Sequence, residues 1–196
     1  MIQWSSFFAA FAPVFLAELP DKTMVSTLIL TGTHRRPLAV WLGVAGAFTV
    51  HAAVATVAGG LLSHLPPRVV ALAAAFLFAA GSYVLWRGRG DANPADDAPL
   101  APVASFPKVM TLAFGTVLVA EMGDLTQLTI AGLAATRPSP ITVFLGGLLA
   151  LWAVAGLAVF VGRRLLTRLP IHLLHVLAAT VFAALALWSA VRALRG

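Results

Sequence analysis

Six apolar stretches dominate this chain: Phe7–Leu30, Leu38–Leu62, Val69–Trp86, Val109–Ala135, Ile141–Val161 and Ile171–Val191. Each meets or approaches the roughly 20 residues that an α-helix needs to cross the hydrocarbon core of a bilayer. Only 10% of the 196 residues are charged, while 60% are hydrophobic. A soluble domain carries about 25% charged residues, so a water-facing fold would have too little polar surface to cover itself. A bilayer removes that requirement. The sequence therefore predicts an all-α integral membrane protein with about six transmembrane helices. Turn and charge signals separate the runs: Thr31 to Pro37, His64 to Arg68, Arg137 to Pro140 and Gly162 to Pro170. The short stretch Met1–Ser6 has no basic residue, so the first run is expected to stay as a helix and not to be cleaved as a signal. There is no cysteine, which excludes a disulfide framework, a thiolate zinc site and a cysteine nucleophile.

The halves of the chain repeat. Moving the sequence along itself by 103 residues, the step from Glu18 to Glu121, lays Leu16-Ala17-Glu18-Leu19-Pro20-Asp21-Lys22-Thr23 on Val119-Ala120-Glu121-Met122-Gly123-Asp124-Leu125-Thr126. In the same register Pro37 meets Pro140, Leu42-Gly43 meets Leu145-Gly146, Gly59 meets Gly162 and Pro67 meets Pro170. Residues 1–86 form the first three-helix repeat and 109–196 the second. Between them, 87–108 reads as a polar linker with Gly88, Gly90, Pro94, Pro99, Pro102, Pro107 and three aspartates. Three spans is an odd number, so the second copy enters the membrane from the opposite face. Such inverted-topology repeats are common in secondary transporters, whose substrate site lies where the repeats meet. The formal charge of +6 does not point to nucleic acid, because the basic residues sit mainly in short loops, where they set orientation. Arg35, Arg36, Arg87, Arg89, Lys108, Arg163, Arg164 and Arg168 fall on one side; Arg68, Arg137, Arg192 and Arg195 fall on the other. The linker is expected in the cytoplasm and both termini outside.

Of seven acidic residues, three lie in the linker. The other four, Glu18, Asp21, Glu121 and Asp124, sit inside the first and fourth spans. An ionised side chain in hydrocarbon costs at least ~2.5–3.5 kcal/mol, so these four are expected to face one another, water or a bound cation. Three-residue spacing would set the acids of a pair on one helix face, and Gln127 would extend that stripe. Thr23 and Thr126 can add hydroxyl oxygens. An all-oxygen cluster suits hard divalent cations such as calcium, magnesium and manganese. Pro20 and Gly123, between the acids, are open to two readings: a helix break with exposed carbonyls, or a simple kink. Lys22 is expected to balance charge by pairing with Asp21 or Glu18. For His51, a hydrogen-bonded core residue and a proton relay both remain open. The tryptophans lie mostly near span ends, as membrane anchors do, and Gly43, Gly46, Gly59, Gly60, Gly146 and Gly147 permit close helix packing.

At these motifs the chain resembles the Golgi and chloroplast manganese/calcium cation–proton exchangers and their bacterial manganese-exporter relatives. Their hallmark is a duplicated Glu-x-Gly-Asp-(Lys/Arg)-(Ser/Thr) motif in the first and fourth helices. The resemblance implies a membrane transporter, not an enzyme, in a bacterial plasma membrane. It carries divalent cations out of the cytoplasm in exchange for protons, with no cofactor. Its partners would be the cation, protons and the lipid bilayer. Cation ligands would be Glu18, Asp21, Glu121 and Asp124, supported by Thr23, Thr126 and Gln127. Manganese is preferred over calcium by this resemblance, not by residue chemistry. Pro20 stands where the family has glycine, Leu125 where it has a basic residue, and Met24 where its glutamine recurs. Rival readings are an exporter of a cationic solute such as a basic amino acid, a cation channel, or a membrane scaffold. The oligomeric state is not readable.

Overall fold

The structure is a computed structural model that describes residues 3–19, 21–87, 105–161 and 171–195, without the side chains of Lys22, Val25, Ile171 and Arg195. Among the described residues it is all helix. In chain order the helices are α1 (Trp4–Glu18), α2 (Lys22–His34), α3 (Pro37–Leu62), α4 (Pro67–Arg87), α5 (Phe106–Ala120), α6 (Leu125–Thr136), α7 (Pro140–Gly156) and α8 (Ile171–Arg195). The last turn of α7 widens to π-helical geometry over Leu157–Val161. Proline opens α3 and α7 at repeat-equivalent positions, where its missing N–H and fixed φ suit the first helical turn. Most of the proposed linker and the 162–170 stretch, with Arg163, Arg164 and Arg168, lie outside the described residues. Residues 106–108, read as linker, already belong to α5.

Four helices are each long and apolar enough to cross a membrane, over Pro37–Leu62, Pro67–Arg87, Pro140–Val161 and His172–Leu194. The bent pair α5 and α6 is long and apolar enough only when taken together, with an angle of 70° between its parts, the form of a broken span or a re-entrant segment. The shorter apolar α1, followed by α2, stands in the first half where α5 and α6 stand in the second. The protein is thus an all-α integral membrane protein of two related halves.

Packing crosses between the halves. α3 lies along α5, α7 along α1, and α4 along α8. Two of these contacts are repeat-equivalent down to single residues. A Cβ on Gly43 would strike the carbonyl oxygen of Met110 and crowd Ala113; a Cβ on Gly146 would strike that of Phe7 and crowd Ala10. Absence of a side chain lets the two backbones touch, the usual device where lipid supplies no hydrophobic drive for helix association. Trp41 and Trp152 depart from the expected anchoring role. Trp152 Nε1 donates to Ala45 O at 3.0 Å and Trp41 Nε1 to Trp152 O at 3.4 Å, with the rings 6.0 Å apart, so the pair ties α3 to α7.

Candidate functional site

Both motifs fall at helix breaks. α1 ends at Glu18 and α2 begins after Asp21; α5 ends before Glu121 and α6 begins after Asp124. The backbone closes each break alike, with Asp21 N donating to Glu18 O at 3.1 Å and Asp124 N to Glu121 O at 3.3 Å. The acids of each pair therefore flank a turn and do not share a stripe on one continuous helix. In the second copy Gly123 adopts φ +80, a left-handed conformation that glycine takes without steric cost. Pro20 lies outside the described residues, and so does the Lys22 side chain.

Three carboxylates meet. Oxygen atoms of Glu18, Asp21 and Glu121 all lie within 4.8 Å of one another. Glu18 is wholly buried, and both its carboxylate oxygens lack a hydrogen-bond partner among the described residues. The buried Thr23 hydroxyl lies close enough to act on the Glu18 carboxyl but not in hydrogen-bond geometry with it. Buried polar groups are normally satisfied, because leaving them bare costs kilocalories. The unpaired oxygens of Glu18, within a three-carboxylate cluster, thus mark a place that a cation or proton can fill.

Asp124 is not part of that close trio. As N-cap of α6 it accepts from Gln127 N at 2.8 Å and from Thr126 Oγ1 at 2.5 Å. Gln127 is bound on both sides: its Oε1 accepts from Gly123 N at 2.7 Å, and its amide nitrogen lies 3.2 Å from His51 Nδ1. The first bond fixes which end of the amide faces the ring, so Nε2 donates and His51 Nδ1 accepts. A neutral His51 then carries its proton on Nε2, which is buried without a partner among the described residues. This His51–Gln127 link joins α3 to the second motif across 76 residues, and sequence separation hides it. The capping of Asp124 does have a sequence signal. Asp followed three residues later by Gln at a helix start is a capping-box pattern, which Asp21, followed by Met24, lacks; Asp21 makes no side-chain cap bond.

The sequence profile of the divalent cation/proton antiporter family GDT1 matches residues 6–92 and 109–196. The chain is also similar to the protein named "Putative manganese exporter" of Vibrio cholerae serotype O1. The two are 28% identical over 181 residues, covering 90% of this chain and 86% of the relative. No solved structure matches the chain. With both halves covered by the profile, each with its acidic turn, the chain belongs to the GDT1 family of divalent cation/proton antiporters.

Proposed function

We propose that this protein exports manganese, with calcium as the second candidate, from the cytoplasm in exchange for protons. The observation that carries the reading is the meeting of Glu18, Asp21 and Glu121, from both halves, within 4.8 Å. Three ionised carboxylates so close repel strongly in a low-dielectric setting, and a doubly charged ion or protons relieve that repulsion. The two occupants exclude each other because carboxylates ligate metal only when deprotonated. Exchange follows: metal binds from the cytoplasm, and protons arriving from outside discharge it there.

In this scheme Glu18, Asp21 and Glu121 form the inner ligands, and the Thr23 hydroxyl adds a neutral oxygen. Asp124, held by Thr126 and Gln127, joins when the second turn shifts. Lys22 offsets negative charge when the site is empty, and His51 passes protons through its buried Nε2. With three spans per half, the halves stand inverted in the membrane, the linker in the cytoplasm and both termini outside. Rocking one half against the other exposes the site to each face in turn. The manganese preference is supported by the name of the Vibrio cholerae relative.

The test is manganese uptake into inverted membrane vesicles carrying the full chain. Glu18→Gln and Glu121→Gln are each expected to slow uptake more than about 100-fold, since loss of outer-shell partners alone costs 10–100-fold at metal sites. Parental rates in both variants would remove these residues from the site. Metal movement with no opposing proton flux would exclude antiport. Inhibition by lysine or arginine, in place of calcium, would favour a cationic-solute exporter.

A further inference from the structure

The ends of α6 and α8 bring together a group that transport chemistry does not use. Arg137, the residue after α6, has its guanidinium carbon 4.4 Å from the centre of the Trp188 ring, and that of Arg192 lies 5.5 Å from the same ring. Arg192 also donates from Nη1 to the carbonyl of Thr136 at the end of α6. A cation at a helix C-terminus is a normal stabilising contact, but among the described residues this one engages a single N–H of the five that Arg192 carries. It leaves Arg137 unexplained. The Arg137 Nε is buried without a partner among the described residues.

Neither arginine meets a described acid, because the four described acids, Glu18, Asp21, Glu121 and Asp124, all sit at the two motif turns. Burial first, and then the charge of Arg192, push the Arg137 guanidinium below the usual arginine range. Two cations on one indole, with no counter-charge beside them among the described residues, leave a positive site incomplete. The repeat does not explain it either: His34 and Leu85 stand in the first half where Arg137 and Trp188 stand in the second.

We propose that Arg137 and Arg192, braced on Trp188, bind the phosphate oxyanion of an anionic phospholipid headgroup. The planar guanidinium forks match phosphate oxygens in pairs. The position fits the ligand: Arg137 follows one span, Trp188 and Arg192 lie in the last turns of another, and Trp188 is 38% exposed. Partly exposed tryptophan and arginine at span ends belong to the headgroup level of a bilayer. Free phosphate offers the same oxyanion without the acyl chains that would hold it at this depth.

The full chain in neutral detergent distinguishes these sources. Thermal unfolding would be followed while phosphatidylglycerol, phosphatidylcholine or inorganic phosphate is added. The parent protein is expected to be stabilised by phosphatidylglycerol at low fractions and much less by the other two. Arg137→Gln, which keeps the Arg192 bond to α6, and the double variant with Arg192→Gln should need roughly tenfold more phosphatidylglycerol for the same shift. Arg68→Gln, which removes one charge at another helix end, should respond as the parent does. Equal responses in parent and Arg137→Gln, or an equal loss in Arg68→Gln, would overturn the site. Inorganic phosphate matching phosphatidylglycerol would overturn the headgroup as the ligand.

Discussion

The two acidic turns share a sequence pattern and a backbone closure, yet they sit in opposite surroundings. At the first, Leu19 and Met24 pack with Val154 and Ala158, bordered by Phe15, Leu157 and Leu174. At the second, the residue equivalent to Leu19 is Met122, which is 71% exposed against 7% for Leu19. Gln127 and His51 replace Met24 and Val154, so a hydrogen bond stands where the first half has an apolar contact. Glu18 is correspondingly sealed, while the second turn opens at Met122 and Gly123. Duplication therefore preserved the acids and the crossings of the helices while the material holding each turn diverged. A transporter that must close on one side while opening on the other needs two turns that can differ in this way.

Substitutions can break or sharpen this contrast. The largest effect is expected where the halves agree. Gly43→Ala and Gly146→Ala each force a methyl against a backbone oxygen and should each lower unfolding free energy by about 3 kcal/mol, at the upper end for overpacked sites. Thermal unfolding in detergent measures it, and markedly unequal losses would deny that the crossings are equivalent. Next, Met24→Gln places an amide against Val154 and Ala158, which offer no side-chain partner, and should cost about 2 kcal/mol. A neutral result would mean that the first turn is wetter than described.

Gly123→Ala should cost about 1 kcal/mol. A Cβ there meets nothing within 4 Å, so the whole effect comes from the left-handed backbone. The smallest expected effect is the coupling of His51→Val with Gln127→Met, about 0.5–1 kcal/mol in a double-mutant cycle. Each single change strands the other partner of one hydrogen bond, whereas the pair recreates the apolar arrangement of the first half. Additive losses would show that the link holds nothing.

Much of this was legible in the chain itself. The six apolar runs account for the eight described helices, the first and fourth runs each broken in two, because length and hydropathy are local properties. The breaks were half legible. Gly123 permits a turn, but a lone glycine or proline signals a kink as readily as an interruption, and the backbone around it decides. The approach of Glu18, Asp21 and Glu121 could be argued from the high cost of isolated charges in oil. That Asp124 would instead turn toward Thr126 and Gln127 was signalled by the Asp-to-Gln capping spacing, which competes with the reading of Asp124 as one of four equivalent acids. Partners far apart in the chain, such as His51 with Gln127 or Arg137 with Trp188, leave no periodic trace. Only the helix crossings bring them together.

Those crossings also set the order of assembly. Helix α1 has its glycine-lined seat on α7, in the other half of the chain. Its acidic turn thus stays unfinished until α7 is in place. A chain cut short before α7 would leave the turn of Glu18 and Asp21 without the Val154 and Ala158 surface that covers it.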